Sequence, residues 1–266
     1  MVGTHGMRVG RAMSRLDGRV AIVTGGAAGI GRHYSKALAE AGARVMIADI
    51  LNGEGVAGEI ASACGASSVA AATFDVSDEA SVKSLVATTL DRFGQIDILV
   101  NNAALYAKLT PVNVTDIDAD LWDKVMAVNV RGAFLMVKHV APHMQARRKG
   151  KIINIASGTA YKGIPRMLHY VTSKGAIVSF TRALSRELGA FDIAVNTLAP
   201  GLILSDTGIE NTQHHDEERA PVRNSRAFKR DAYPEDLLGA LIFLASSDSD
   251  FITGQTIAVD GGSINT

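Results

Sequence analysis

The sequence predicts a doubly wound α/β fold, a three-layer sandwich with a seven-stranded parallel sheet between helices. Three observations carry this. Short apolar, β-branched runs alternate with helix-period segments along the whole chain. The runs are apolar enough to be buried on both faces, as strands of a parallel sheet are. A glycine cluster follows the first run and opens the first helical segment.

Each element has its own signal. "RVAIVT" (19–24) is a buried strand ended by glycines. In "IGRHYSKALAEAG", Ile30, Tyr34, Ala37, Leu38 and Ala41 share one helix face, and Gly42 is a stop. "RVMIA" (44–48) is the second strand, followed by a helix of small residues over 52–64. "SVAAATF" (68–74) is the third strand. "DEASVKSLVATTLDRFG" is an amphipathic helix, acidic at its start and closed by Gly94. "DILVNNA" (97–103) is a strand running into a turn, and 118–146 is helical, interrupted by nothing stronger than Pro142. "KIINIAS" (151–157), a helix over 168–189 and "DIAVNTLAP" (192–200) come next. A helix over 234–247, with Pro234 in its first turn, and the strand "QTIAVDGG" (255–262) close the series.

No linker or repeat divides the 266 residues, so 15–266 is expected to be a single catalytic domain. Residues 1–14 are expected to be a loosely ordered arm, unless they are a vector-derived or misplaced start. The polar stretch 201–233 is too long for a plain connection and is read as a substrate lid.

Bulk properties exclude several functions. Lys plus Arg number 27 and Asp plus Glu number 27, so nothing in the charge favours nucleic acid or an anionic membrane. No apolar run approaches the roughly 18–20 residues that span a bilayer. One cysteine, Cys64, allows no internal disulfide and no multi-cysteine metal site, and fits a reducing, cytoplasmic setting.

"TGGAAGIG" (24–31) lies between the first strand and first helix, where glycines let a pyrophosphate approach the helix N-terminus. Its spacing, Gly25-x-x-x-Gly29-x-Gly31, differs from the common dinucleotide fingerprint and taken alone also suits a tight turn. Asp49 ends the second strand, 18 residues beyond Gly31, placed to bond adenosine ribose hydroxyls and to repel a 2′-phosphate. No Lys or Arg lies in "GGAAGIG" or directly after Asp49. NAD is therefore expected over NADP. Asp75 either accepts from the adenine amino group or is a turn and capping acid before "SDEA".

These residues, with "DV" (75–76), "NNAA" (101–104), Asn129, Ser157, Tyr170-x-x-x-Lys174, "PG" (200–201) and "VDGG" (259–262), resemble the short-chain dehydrogenase/reductase family from about Leu16 to Gly262. The resemblance implies a Rossmann-type fold and these roles. Gly25, Gly29, Ile30 and Gly31 hold the pyrophosphate. Asp75 and Val76 join the adenosine contacts, and Asn102 and Ala103 lie along the adenosine ribose, with Asn101 supporting the central strand. Pro200, Gly201 and Ile203 flank the nicotinamide. Asn129, Ser157, Tyr170 and Lys174 are the catalytic set. It also implies a homotetramer built on the helices near 120–146 and 168–189 and on the C-terminal segment. Ala104 stands where the family often has Gly. The hydroxyls after Pro-Gly, Ser205 and Thr207, come slightly later than usual.

The chemistry suits the residue types. Alcohol oxidation gives a hydride to the nicotinamide and leaves a proton for the protein to take. A free phenol, with a pKa of about 10, stays protonated at neutral pH and so is no base there; lowering it by about 3 units corresponds to roughly 4 kcal/mol favouring the phenolate. An ammonium one helical turn away favours the phenolate. Ser157, at a strand's carboxyl end, can bond the substrate oxygen. By the resemblance, Asn129 holds a water linking Lys174 to solvent.

The pocket wall is expected from 105–110, 158–168 and the lid, with Tyr106, Tyr161, Ile164, Met167, Leu202 and Leu204. Their character favours a secondary alcohol or ketone with a hydrophobic or aromatic body. Lys162, Arg166, Arg223, Arg226, Lys229 and Arg230 are read as solvated surface charges rather than an anion grip. "HHDEER" (214–219) is read as lid, not metal site; His169 is a minor pocket-wall candidate, and Trp122 is packing. The alternatives are a 3-oxoacyl-type or sugar/polyol carbonyl reductase of the same family, and a non-catalytic NAD-binding sensor. The last is expected to break the catalytic set, which here is complete. An epimerase or dehydratase would need a longer chain.

Overall fold

The computed structural model describes residues 15–65, 68–205 and 216–265. The expected arm over 1–14, Thr207, His214 and His215 lie outside the described residues.

The chain alternates as follows: β1 Val20–Thr24, α1 Gly29–Glu40, β2 Arg44–Asp49, α2 Glu54–Cys64, β3 Val69–Thr73, α3 Glu79–Phe93, β4 Ile98–Asn101, α4 Ala119–Met126, α5 Gly132–Arg147, β5 Gly150–Ile155, α6 Thr159–Lys162, α7 Leu168–Leu188, β6 Ile193–Pro200, α8 Asp216–Ser225, α9 Glu235–Ala245 and β7 Thr256–Val259. All strand pairs are parallel, in the order β3-β2-β1-β4-β5-β6-β7. The order reverses direction between β1 and β4, where a doubly wound sheet opens a crevice at its carboxyl edge.

The period of two in β1 explains the layers. Ala21 and Val23 pack with Tyr34, Leu38, Leu237 and Leu241 under α1 and α9. Val20 and Ile22 pack with Val82, Leu85, Met136, Val140 and Leu188 under α3, α5 and α7. The inner strands are buried on both faces, which is why they read as unbroken apolar runs, whereas the edge strands β3 and β7 are half-exposed.

Two elements differ from expectation. The helix over 118–146 is interrupted at Ala127–Arg131 by a π-helical turn, and Asn129 sits inside it. Pro142 lies within α5 without ending it. The lid stretch contains a helix, α8, and a one-residue parallel bridge, Ile203 to Ala232. Its polar composition conceals a helix whose partners are charges rather than core.

Candidate active site

The glycine turn after β1 is held from below by side chains. The Thr24 hydroxyl accepts the Asn102 and Ala103 N–H groups, each at 3.0 Å. Asn102 Nδ2 donates to the Thr24 and Gly25 carbonyls at 3.0 and 3.1 Å. Gly25 has φ +63°, a left-handed conformation suited to glycine. A Cβ at Gly31 would lie 1.9 Å from the Gly25 carbonyl oxygen. α1 starts at Gly29 behind Ala28, which offers no side-chain cap, so its first-turn N–H groups face the carboxyl edge uncapped. A pyrophosphate fits such an end. Asp49 Oδ2 accepts from Ala27 N–H at 2.9 Å and Oδ1 from Leu51 N–H at 3.0 Å, fixing a buried carboxylate beside the turn. The residues after it, Ile50 and Leu51, are exposed and apolar. Arg32, on α1, is turned to Glu59 at 2.5 Å. These residues fit a dinucleotide.

Asp75 is exposed, and its Oδ1 accepts from the Ser77 N–H and hydroxyl at 2.8 and 2.7 Å. It shapes a turn; the cap of α3 is Asp78. Val76 is buried and would meet any Cβ at Gly132.

The second half of the site lies across the same edge. Ser157 follows β5 and Tyr170 lies in the first turn of α7. Ser157 Oγ accepts Thr159 N–H at 3.2 Å, and its hydroxyl lies near enough to the Tyr170 phenol to act on it. Tyr170 is 7% exposed and Lys174 3%. Lys174 Nζ donates to the Ile155 carbonyl at 2.8 Å and stands 5.8 Å from the centre of the Tyr170 ring. Burial holds Lys174 down at a pKa of about 8. Burial also raises Tyr170 well above its ordinary value, the Tyr106 phenol adds to this, and the Ser157 hydroxyl opposes it. The net direction is thus opposite to the lowering expected from Lys174, because desolvation outweighs an ammonium whose bond goes to a backbone carbonyl.

Asn129 is buried within the π turn. Its Oδ1 accepts Leu105 N–H at 2.7 Å, and its Nδ2 donates to Ser173 Oγ at 3.0 Å and the Leu105 carbonyl at 3.3 Å. The side chain therefore ties the π turn to α7 and to the segment after β4. Ser173 also donates to the Tyr170 carbonyl at 2.7 Å.

Among the pocket-wall residues, the Tyr106 ring lies 4.7 Å from that of Tyr170, tilted by 40°. Met167 is buried before α7, and Tyr161 and Leu202 are half-buried. Ile203 is buried beside Ala232. His169 is buried, its Nδ1 accepting Tyr170 N–H at 2.8 Å.

Of the basic residues, Lys162, Arg166, Lys229 and Arg230 are exposed, as composition suggested, whereas Arg223 is half-buried and Arg226 is buried. Arg226 is 3% exposed. Arg219 and Arg223 pair with Asp231 at 3.4 and 3.3 Å, and Arg230 forks onto Asp236 at 2.6 and 2.7 Å. Lys162 bonds Ser225 at 3.0 Å, Arg166 the Pro111 carbonyl at 3.0 Å, and Lys229 the Asn224 carbonyl at 2.8 Å. Sequence reading gave no role to the Thr24 hydroxyl within the glycine motif, and missed Ser173 and the buried Asn154–Thr181–Thr197 chain that Asn101 joins beneath the edge.

Comparison with known proteins completes the picture. Residues 25–263 match the family model described as enoyl-(acyl carrier protein) reductase. The chain is 40% identical to a sorbitol dehydrogenase of Cereibacter sphaeroides, covering 93% of this chain and 98% of that one. The chain belongs to the short-chain dehydrogenase/reductase family. A galactitol 2-dehydrogenase of Agrobacterium fabrum is 38% identical over 93% of this chain and 98% of its own. A solved candidate gluconate dehydrogenase from Agrobacterium tumefaciens superposes with a TM-score of 0.89 at 32% identity, covering 96% of this chain and 100% of that one. This short-chain dehydrogenase/reductase is a nicotinamide-dependent oxidoreductase acting on alcohols and ketones. No helix among its described residues is long and apolar enough to cross a membrane.

Proposed function

We propose that the enzyme oxidises a neutral secondary alcohol, in the sugar-alcohol class, and reduces the matching ketone, with NAD preferred and Tyr170 as general acid/base. One observation carries the catalytic reading: Tyr170 and Lys174 are buried one helical turn apart at the carboxyl edge, with Lys174 Nζ 5.8 Å from the Tyr170 ring centre and Ser157 at the end of β5 acting on the phenol. A bound nicotinamide dinucleotide supplies the hydride acceptor or donor. Gly25, Gly29, Ile30, Gly31, Asp49, Asp75, Val76, Asn102 and Ala103 hold the adenosine and pyrophosphate side. Pro200, Gly201 and Ile203 flank the nicotinamide side. Tyr170 Oη takes the alcohol proton or returns it to the ketone. Ser157 Oγ bonds the substrate oxygen and steadies the charge it gains. Lys174 Nζ bonds the nicotinamide ribose and supplies the positive charge that favours the phenolate. Asn129 holds Ser173, and through it the Tyr170 backbone, in place.

NAD is favoured by the Asp49 carboxylate, by the apolar neighbours Ile50 and Leu51, and by the engagement of Arg32 with Glu59. A neutral substrate is favoured because the basic side chains around the pocket are spent on internal partners. The sorbitol and galactitol dehydrogenases among its relatives favour a polyol. A second reading, a ketone with an aromatic body, is favoured by the Tyr106 ring beside Tyr170 and by Met167 and Leu202. A cytoplasmic homotetramer belongs to the same proposal; Phe134, half-exposed on α5, is suited to a helix–helix interface.

The test is a panel of sorbitol, galactitol, their ketoses and 1-phenylethanol, run with NAD and NADP side by side by absorbance of the reduced cofactor. Turnover of the polyols with NAD supports the proposal. Turnover of 1-phenylethanol alone moves it to the second reading, and a preference for NADP overturns the cofactor assignment.

A further inference from the structure

Arg226 follows α8 and is buried beneath the lid. Its Nη2 donates to the Leu202 carbonyl at 2.7 Å, and its Nη1 to the Arg230 carbonyl, also at 2.7 Å. One guanidinium therefore joins the strand exit after β6 to the segment that leads into α9. Its stem lies against Gly261 and its guanidinium near Gly201. A Cβ at Gly261 would lie 3.3 Å from Arg226 Cδ, and one at Gly201 would lie 3.6 Å from Nη2. Gly261 has φ +72°, so the turn after β7 both needs glycine and leaves the room the stem fills.

The neighbours of Arg226 are tied to the same place. Phe228 N–H donates to the Gly261 carbonyl at 2.9 Å, and Leu204 N–H to the Ala232 carbonyl at 2.9 Å. Ser225 Oγ lies 2.7 Å from Ser263 Oγ, and Lys162 of α6, five residues beyond Ser157, bonds both serines. Asp260 Oδ1 accepts the Gly262 and Ser263 N–H groups at 3.0 Å each. The exit of β6, the turn after β7 and the turn after Ser157 thus meet around residues 225–228.

We infer that Arg226 is a positioning residue: by holding the Leu202 and Arg230 carbonyls together it fixes the Gly201–Ile203 backbone against the turn after β7. Its functional consequence rests on the reading that Pro200–Ile203 flanks the nicotinamide. A buried charged donor bonded to two carbonyls is costly to remove, because both acceptors are then left without their partner. Lysine offers one nitrogen in place of a planar fork and reaches only one carbonyl at a time.

The test compares Arg226→Met, which keeps an unbranched apolar stem, with Arg226→Lys, using the full chain. Hydrogen exchange is followed in peptides covering 202–205 and 226–232, with β4 and β5 as controls. In Arg226→Met these peptides exchange about tenfold faster while the controls hold, and KM for the cofactor rises about tenfold with a smaller change in kcat. Arg226→Lys shows the same pattern at about threefold and carries the test if the methionine variant fails to fold. Unchanged exchange in both peptides overturns the inference whatever happens to activity. Faster exchange with an unchanged cofactor KM also overturns the positioning role. If instead Tyr170→Phe keeps its turnover, the functional reading fails while the exchange result still stands.

Discussion

The cofactor side of the site and the lid side are built on different principles. Around the glycine turn the bonds are short-range or backbone-centred. Thr24, Asn102 and Asp49 each bind main-chain groups, and glycine is required where chain meets chain. On the lid side, Arg219, Arg223, Arg226 and Arg230 reach acids and carbonyls across the lid. A backbone-centred site tolerates almost no change of residue type. A site made of charge pairs tolerates any pair that fits, so one family can keep its cofactor half while its substrate half varies.

The largest effect that tests this contrast lies where the halves meet. Tyr170→Phe removes the phenolic hydroxyl and keeps the ring against Tyr106. Turnover is expected to fall on the order of 10³–10⁴-fold, with NADH binding unchanged by fluorescence titration. Retained turnover would remove the proton-transfer role and leave the junction with no special status.

Next in size is Gly31→Ala, a single methyl on the cofactor side. Its carbon would overlap the Gly25 carbonyl oxygen at 1.9 Å and crowd Asn102 Nδ2 at 2.7 Å. Backbone cannot swing aside as a side chain does. The expected cost is about 3 kcal/mol of stability, read as a lower denaturant midpoint, with loss of cofactor binding. By contrast, Gly163→Ala has open space around its Cβ and bears only the strain of φ +63°. Equal losses in the two variants would show that close approach is not what the glycine turn requires.

The same contrast decides what was legible beforehand. The seven strands, the glycine turn, Asp49 and the Tyr170–Lys174 spacing follow from short patterns, each with a local physical cause. The π turn at Asn129 does not, because its cause is a tertiary bond to Ser173 and Leu105. Nor does the state of Arg226. "RNSRAFKR" reads as surface by composition, and only the pairing with Leu202 and the glycine-lined gap shows it buried. Tyr170 illustrates the limit within a recognisable motif: the spacing reveals the partner but not the desolvation that outweighs it.

Asp49→Asn is expected to act more gently. The amide preserves size and can still accept from Ala27 or Leu51 through its oxygen, but the charge is gone. NAD affinity is expected to fall about tenfold, and the preference over NADP to narrow by a similar factor. Kd values for both cofactors at fixed ionic strength measure this. An unchanged ratio would mean that Asp49 only braces the turn.

The smallest effect concerns Lys174, whose pKa burial lowers to about 8. The sign follows from which form binds. The ammonium is the form proposed to bond the nicotinamide ribose, so the protein loses its binding-competent state as pH rises through the free-enzyme pKa. Cofactor Kd is then flat below about pH 7, about twofold weaker at pH 8, and about tenfold weaker near pH 9, where the neutral amine dominates. Tyr170 does not produce this profile, since burial raises it away from that range. Lys174→Met should bind more weakly and lose the slope, whereas Asp49→Asn, on the far side of the cofactor, should keep it. A slope that persists without Lys174 would assign the titration to another group.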